Sequence, residues 1–206
     1  MHKATVGNVE VTALLDAHLV MDPRQFLPAH AEAFVAEYGH LADARGLLPM
    51  AVTCYLLRSG GKNILVDTGL GPRKRPGFPG GNLDAAFRDA GLSPADIDVV
   101  VHTHLHIDHV GWNTFDHEDG TREVFFPNAR FFIQQVEWDY WMTPEQIGHP
   151  ANAHLAECVE PLRNSGRITF VDGEQAIDEN LTCVSTPGHT PGHVAIGIAS
   201  AGERAV

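Results

Sequence analysis

A short apolar strand that ends in a cluster of histidines constrains the fold of this chain more than any other feature. Residues 98–101, Asp-Val-Val-Val, predict a buried strand, and His104, His106, Asp108 and His109 follow where that strand should end. Because side chains alternate along an extended segment, we expect the first three of these to point to one side and His109 to the other. As the chain turns out of the strand, two neighbouring ligand clusters become possible.

The side chains of this cluster indicate metal binding. Neutral imidazole and carboxylate are ligands that divalent zinc, iron and manganese accept. We expect His104 and His106 to contact one metal ion, and Asp108 and His109 to reach a second ion beside it. The alternative is a histidine-rich surface loop, which the density of the cluster at a strand end disfavours.

Three segments of the chain resemble the signature of the metallo-β-lactamase superfamily of metal-dependent hydrolases. Residues 103–111, Thr-His-Leu-His-Ile-Asp-His-Val-Gly, carry the central motif. Residues 63–69, Asn-Ile-Leu-Val-Asp-Thr-Gly, are similar to an earlier strand and Asp-Thr-Gly element, and residues 186–193, Thr-Pro-Gly-His-Thr-Pro-Gly-His, to a third histidine element. The resemblance runs from about Thr53 to the end. The third element and residues 109–113, His-Val-Gly-Trp-Asn, are most similar to the lactonase and organophosphate-hydrolase-like branch.

The resemblance implies an α/β (α+β) fold, the αββα metallo-β-lactamase sandwich, in which two packed sheets are flanked by helices. We expect residues 1–206 to form a single domain of this kind. The family pattern continues to a metal-bridging aspartate and a last histidine beyond the strand at 194–199, whereas this chain stops at Val206. We therefore expect the C-terminal part of the fold to be missing and the strand at 194–199 to be an uncovered edge. The chain alone should then be poorly soluble, nearly inactive and weak in binding a second metal ion.

Carried over by motif position, the resemblance implies a role for each ligand. His104, His106 and His189 would hold the first metal ion, and Asp108 and His109 would form part of the second site. Asp108 would also be the catalytic residue, orienting a metal-activated hydroxide and passing a proton to the leaving group. Two divalent metal ions are expected, with zinc preferred and iron or manganese as alternatives.

Three further residues are expected to support the ligands rather than to bind metal. Asp67 should fix a ligand loop through hydrogen bonds. His102 has the strand parity of His104 but lies deeper, so we expect a hydrogen-bonded core histidine. His193 belongs to the recurring motif and should stand at the start of a strand beside the ligands.

The predicted activity is hydrolysis of a small-molecule lactone or ester at a dinuclear site. Organophosphate esters, β-lactams and thioesters remain alternatives, although Trp112 after Gly111 disfavours a glyoxalase-type thioesterase. A mononuclear iron sulfur dioxygenase keeps the same His-x-His-x-Asp-His pattern and is the second hypothesis. A third hypothesis is a metal-binding protein without catalytic activity.

The amino-acid composition indicates which kinds of partner and which cellular compartment to expect. A net charge of −12 argues against a nucleic-acid partner, because phosphate binding needs a basic face. The basic residues 73–75 are expected to form a solvated turn. No stretch approaches the roughly 20 apolar residues of a membrane helix, and the first residues lack a signal-peptide pattern. Cys54, Cys158 and Cys183 are expected to be buried reduced thiols, which favours the cytoplasm. A small molecule is the expected partner, and the oligomeric state is left open.

The remaining patterns predict many strands with interspersed helices. Strands are expected at 9–15, 51–58, 63–67, 97–101, 168–171, 181–185 and 194–199, and a hairpin at 123–126 and 130–134. Helices are expected at 29–38, 83–90, 137–142 and 151–163. The segments 17–49 and 138–150 are the expected pocket walls, because they supply apolar surface: Met21, Phe26, Leu27, Trp138, Tyr140 and Trp141. For each of these side chains, packing within the domain is the equally open alternative.

Overall fold

The computed structural model describes residues 2–206 as strands and α-helices joined by shorter helical turns. The strands are β1 (His2–Val6), β2 (Val9–Met21), β3 (Leu48–Ser59), β4 (Lys62–Val66), β5 (Val99–Val101), β6 (Thr114–Asp116), β7 (Arg122–Val124), β8 (Arg130–Gln134), β9 (Ile168–Val171), β10 (Gln175–Ala176), β11 (Leu181–Ser185), β12 (Val194–Ser200) and β13 (Glu203–Ala205). The α-helices are α1 (Pro23–Phe26), α2 (Ala31–Tyr38), α3 (Leu83–Asp89), α4 (Ile107–Val110), α5 (Gln135–Trp141) and α6 (Pro144–Gly148).

The larger sheet has seven strands in the order β1-β2-β3-β4-β5-β8-β9. Strands β1 to β4 pair antiparallel, whereas β4, β5, β8 and β9 pair in parallel. The run Ile64-Leu65-Val66 in β4 is apolar because both faces of the sheet are buried there. Ile64 and Val66 join the core between the two sheets, while Leu65 joins the core on the opposite face. Strand alternation thus divides one apolar run between two cores.

The smaller sheet has the order β10-β11-β12-β13 and packs against the larger one. Leu181, Cys183 and Val194 of this sheet lie in one buried cluster with strands β4 and β5. On the opposite face of the larger sheet, α3 contributes the fully buried Leu83 and Phe87 to the other core. Two packed sheets, with α3 on the outer face of the larger one, confirm the predicted α/β fold class.

The parallel strands decide where polar side chains gather. Asp67 follows β4, His102 to His104 follow β5, and α5, which contains Glu137, follows β8. Because these strands run in the same direction, their carboxyl ends meet at one edge of the sheet. That edge carries the histidine motif.

The predicted hairpin at 123–126 and 130–134 is wrong. Strand β7 pairs instead with β6, from Thr114↔Val124 to Asp116↔Arg122, in a separate two-stranded ribbon. Strand β8 joins the larger sheet in parallel with β5, where Phe131 and Ile133 are buried. Local turn composition favoured the hairpin, but burial of these two side chains in the cores decides the pairing.

The predicted helix at 151–163 is broken into three turns. A 3₁₀ turn at Pro150–Asn152, a π-helical turn at Leu155–Val159 and a second 3₁₀ turn at Glu160–Leu162 replace it. Pro161 has no amide hydrogen, which prevents a continuous α-helix through this segment. The other predicted helices are present with shifted ends, and none of the helices within residues 2–206 is long and apolar enough to cross a lipid bilayer.

Three further expectations can be compared with the strands and the core. Strand β2 runs on to Met21, six residues beyond its predicted end, with a bulge between Leu15 and Ala17. Strand β12 pairs with β11 on one side and, from Ile198 to Ser200, with β13 on the other, so the expectation of an uncovered edge is wrong for that half. The three cysteines are buried free thiols, as predicted.

Candidate metal centre

Three imidazoles converge at the carboxyl edge of the larger sheet. His104 lies in the loop after β5, His106 directly precedes α4, and His189 lies in the loop between β11 and β12. His104 Nε2 is 3.1 Å from His106 Nδ1, which is 3.0 Å from His189 Nε2. One nitrogen from each ring lies within 4.8 Å of the others, so the cluster can hold a divalent metal ion.

The electrostatic environment keeps two of these rings neutral. Burial, together with the positive charge of His109, lowers the pKa of His104 to about 2. Burial also lowers the pKa of His106, together with the neighbouring His189. A neutral imidazole offers a free lone pair, which is the form that binds a metal ion. The donor set therefore fits a divalent cation, and three protein ligands leave coordination positions free.

Asp108 and His109 form a second, smaller group beside the three imidazoles. His109 Nε2 lies 3.5 Å from Asp108 Oδ2, and His109 Nδ1 lies 2.8 Å from Asp67 Oδ2. Within residues 2–206 no other group of three metal-binding side chains is found. The structure thus groups the five predicted ligands as three and two, and their binding of metal stays a prediction.

The predicted alternation of side chains across a strand is not how this grouping arises. Strand β5 ends at Val101, and residues 107–110 form one turn of α4 rather than an extended segment. His106 therefore precedes a helix, while Asp108 and His109 lie on it. Strand parity would place Asp108 with His104 and His106, whereas the loop and the helical turn bring Asp108 beside His109.

The second group is an ion pair with a further carboxylate, that of Asp67, beside it. Burial lowers the pKa of His109, but the carboxylates of Asp67 and Asp108 outweigh it and raise that pKa to about 10. Burial raises the pKa of Asp67, yet His109 holds it far below its usual range. In the metal-free protein His109 is accordingly a cation between two carboxylates.

Asp67 fixes the loop that carries the first ligand, as the sequence predicts. Its Oδ1 accepts the Thr103 amide at 2.8 Å, and its Oδ2 accepts the Thr103 hydroxyl at 2.7 Å. Asp67 has a φ of 59°, in the left-handed region that aspartate tolerates better than most residues. One carboxylate therefore orients His109 and holds the residue before His104.

His102 and His193 differ in how far they follow the prediction. His102 is buried against Phe131, as expected of a core residue. Its ring nitrogens have no hydrogen-bond partner within residues 2–206, so that part of the prediction is wrong; the nearest carboxylate oxygen, of Asp67, is 3.8 Å away. His193 immediately precedes β12, and its Nδ1 lies 2.9 Å from the Thr186 hydroxyl.

Glu137, which no motif in the sequence indicates, joins the two loops of the three histidines through its carboxylate. Glu137 is 1% exposed and lies in the first turn of α5. Its Oε1 accepts the Leu105 amide at 3.0 Å and the Trp141 indole N–H at 2.7 Å, and its Oε2 accepts the Gly192 amide at 2.8 Å. A helical position among aromatic residues was the only signal, and a glutamate there is normally exposed.

Asp16 was missed for the same reason. It lies at the bulge in β2, is 3% exposed, and accepts the amides of Leu70 and Leu83 and the indole N–H of Trp112, at 2.7–2.8 Å. It thus ties the loop after β4 to the start of α3 and to the segment after α4. Desolvation raises the pKa of Asp16 and outweighs these three hydrogen bonds, which lower that pKa.

The remaining expectations concern the basic loop and the pocket walls. The prediction that residues 73–75 form a solvated turn is wrong for both arginines. Arg73 donates to Asp116 at 2.8 Å and its side chain is 13% exposed, and Arg75 forms an ion pair with Glu157. Of the expected wall residues, Trp141 stands with its ring 5.2 Å from that of His106. Phe26, by contrast, is 63% exposed.

Similarity to known proteins agrees with this geometry. Residues 47–204 match the model of the metallo-beta-lactamase superfamily, so the chain belongs to that superfamily. An N-acyl homoserine lactonase of a Bacillus species is 27% identical over 71% of this chain and 58% of its own length. The N-acyl homoserine lactonase AttM of Agrobacterium fabrum is 32% identical over 50% of this chain and 36% of its own. The chain thus spans little more than half the length of the Bacillus relative.

Two solved structures share the fold over nearly the whole chain. AidC, a dizinc quorum-quenching lactonase in complex with a product, is 26% identical with a TM-score of 0.75, and the alignment covers 98% of this chain and 71% of AidC. The hydrolase AbOPH is 24% identical with a TM-score of 0.78 and the same coverage, which shows the common fold.

Proposed function

We propose that this chain carries the metal centre of a zinc-dependent hydrolase that opens small lactones, with N-acyl homoserine lactones as the first candidates. The observation that carries the proposal is the convergence of the neutral His104 and His106 imidazoles with His189 at the end of β5. The lactonase relatives and the dizinc neighbour support the choice of substrate and metal.

The five ligands have distinct roles in this proposal. His104, His106 and His189 hold the first zinc ion, and Asp108 and His109 contribute to a second site. Bound zinc supplies Lewis acidity and a water nucleophile at neutral pH. The carboxylate of Asp67 holds His109 through Nδ1, which leaves Nε2 facing Asp108.

Asp108 carries the proton in this mechanism. Although burial raises the pKa of Asp108, its hydrogen bond to His109 outweighs this and keeps that pKa below the usual value. Asp108 is therefore an ionised carboxylate at neutral pH in the metal-free protein, and bound zinc would favour the same form. It accepts the proton released when water adds to the lactone carbonyl and returns it to the ring oxygen as the carbon–oxygen bond breaks. The product is the open-chain hydroxy acid.

The surroundings of the cluster favour a small substrate with an apolar part. Trp141 offers an aromatic face beside His106. The net charge of −12 disfavours polyanionic substrates such as RNA. We also propose a cytoplasmic location, which the three free thiols support; cell fractionation tests it.

A substrate panel tests the proposed activity. Protein from the complete reading frame is stripped of metal, reloaded with zinc, iron or manganese, and assayed on an N-acyl homoserine lactone, an aryl ester, a phosphotriester and a β-lactam. We expect lactone hydrolysis with about two zinc ions per chain. His106→Ala should abolish it, whereas Glu145→Gln, at an exposed position of α6, should not.

Two results would contradict the proposal. Turnover of the phosphotriester alone would move the protein to another hydrolytic branch. A plateau at one iron ion per chain, with oxygen consumed in the presence of a persulfide, would favour the mononuclear sulfur dioxygenase instead.

A further inference from the structure

Glu137 makes direct hydrogen bonds to both segments that carry the three imidazoles. Leu105, whose amide it accepts, stands between His104 and His106. Gly192, whose amide it also accepts, lies three residues after His189 in the loop before β12. Leu105 and Gly192 are 87 positions apart in the chain, so this contact joins distant segments. One carboxylate thus links the two halves of the three-histidine cluster.

We propose that Glu137 is a positioning residue that sets the metal affinity of the His104, His106 and His189 cluster by holding its two loops together before metal binds. This inference rests on the proposed function only in taking those histidines as ligands. Glu137 itself does not contact the metal in this proposal. It accepts hydrogen bonds from two backbone amides, and these bonds order the two loops before the metal ion binds.

The packing around Gly192 shows how closely the second loop approaches α5. A Cβ atom at Gly192 would lie 2.4 Å from the Glu137 backbone nitrogen and 2.5 Å from its Cβ, closer than real Cβ contacts. Glycine is therefore required for the loop to reach the carboxylate. The Trp141 indole N–H also donates to Oε1, which fixes the side chain along its own helix.

A buried carboxylate with three N–H donors also has a plain structural explanation, and Asp16 supplies the matched comparison. Asp16 is as buried as Glu137 and also accepts two amides and one indole N–H. Its donors, however, belong to Leu70, Leu83 and Trp112, and none lies in the loops of the three histidines. Loss of either carboxylate should lower stability, because each leaves buried donors unsatisfied. Only loss of Glu137 should lower metal affinity.

The experiment compares variants of the protein from its complete reading frame. Zinc affinity is measured by competition with a chromogenic chelator, stability by denaturant unfolding of the metal-free protein, and loop order by hydrogen exchange of the Leu105 and Gly192 amides. Glu137→Gln keeps the side-chain length but replaces one accepting oxygen by a donor. Glu137→Asp keeps the charge but shortens the reach. Gly192→Ala displaces the loop while Glu137 remains, which keeps the proposal testable if Glu137 variants fail to fold.

We expect Glu137→Gln, Glu137→Asp and Gly192→Ala each to weaken zinc binding about tenfold or more and to speed exchange of at least one of the two amides. Asp16→Asn should lower stability but leave zinc affinity within about threefold.

Three results would overturn the proposal. Equal loss of zinc affinity in Asp16→Asn would make the effect one of general stability. If Glu137→Asp retained zinc affinity while the other variants lost it, the effect would come from the charge of the side chain rather than from its position. Unchanged exchange of both amides in Glu137→Gln would show that the carboxylate does not order the loops. Wild-type protein that binds no zinc would overturn the proposed function instead, and the exchange result on metal-free protein would still decide whether Glu137 joins the loops.

Discussion

The two groups of predicted ligands at the sheet edge differ in what their side chains already contact. In the cluster of His104, His106 and His189, nitrogens lie about 3 Å apart with no carboxylate between them, and burial keeps the first two rings neutral. In the pair of Asp108 and His109, opposite charges satisfy each other, and Asp67 adds a second carboxylate. The first group therefore offers neutral nitrogens to a cation, with the His109 ring 3.9 Å from that of His104, whereas the second must give up an internal ion pair to bind one. We expect the first site to fill first.

Removal of one imidazole from the first group should have the largest effect on metal binding. Loss of an outer partner of a ligand already costs roughly 10- to 100-fold in metal affinity, so His106→Ala should cost at least about 100-fold at the first site. Titration with zinc in the presence of a competing chelator measures this. The control is His117→Ala, because His117 is exposed and follows β6 in the two-stranded ribbon. Equal first-site affinity in both variants would contradict the division into two groups.

Removal of the carboxylate behind the second group should have a smaller effect, confined mainly to the second equivalent of zinc. Asp67→Asn removes the charge that holds His109, and we expect second-site affinity to fall roughly 10-fold or more. First-site affinity should fall less, because Asp67 reaches that site only through Thr103. Stepwise calorimetric titration separates the two. Asp89→Asn, at an exposed position, is the control, and a larger loss at the first site would reverse our ordering.

Truncation of His102 should affect stability and leave both groups largely intact. Its side chain is buried against Phe131, so His102→Ala opens a cavity, and we expect the free energy of unfolding to fall by about 2–4 kcal/mol. Zinc affinity should stay within about threefold of wild type. Urea unfolding and chelator competition on the same preparation test both parts. A loss of zinc affinity comparable to that of His106→Ala would make His102 part of the metal site.

The smallest effect is expected at an ion pair away from both groups. Hydrogen bonds from Arg122 and Arg73 lower the pKa of Asp116 to about 2. Because the folded-state pKa lies below the unfolded value near 4, this contribution to stability is present above pH 4 and is lost as pH falls toward 2. Because Asp116 is partly exposed to solvent, the ion pair contributes only about 1 kcal/mol to the free energy of unfolding.

Unfolding of Asp116→Asn and wild type at several pH values tests this last prediction. The difference in free energy of unfolding should be largest at neutral pH and vanish below pH 2. A difference that is independent of pH would show that the ion pair is not its source.

The parts of the metal centre that could be predicted from sequence are those encoded within short segments. His104, His106, Asp108 and His109 occupy one motif after an apolar strand, and a Pro-Gly pattern marks His189. Apolar runs likewise predicted most strands, because strands β4 and β5 are buried on both faces and have to be apolar. In these cases the physical cause, burial or ligand chemistry, lies in the segment itself.

Tertiary structure decided the features whose cause lies elsewhere in the chain. Glu137 and Asp16 are charged, and charge by itself predicts a surface position; only the fold brings buried N–H donors to them from distant segments. The pairing of β8 with β5 rather than with β7 depends in the same way on which cores are available to Phe131 and Ile133. Sequence thus determined the candidate metal ligands and the apolar strands. The contacts that hold the loops of these candidates were decided by packing, because a buried polar group is stable only where the fold supplies its partners.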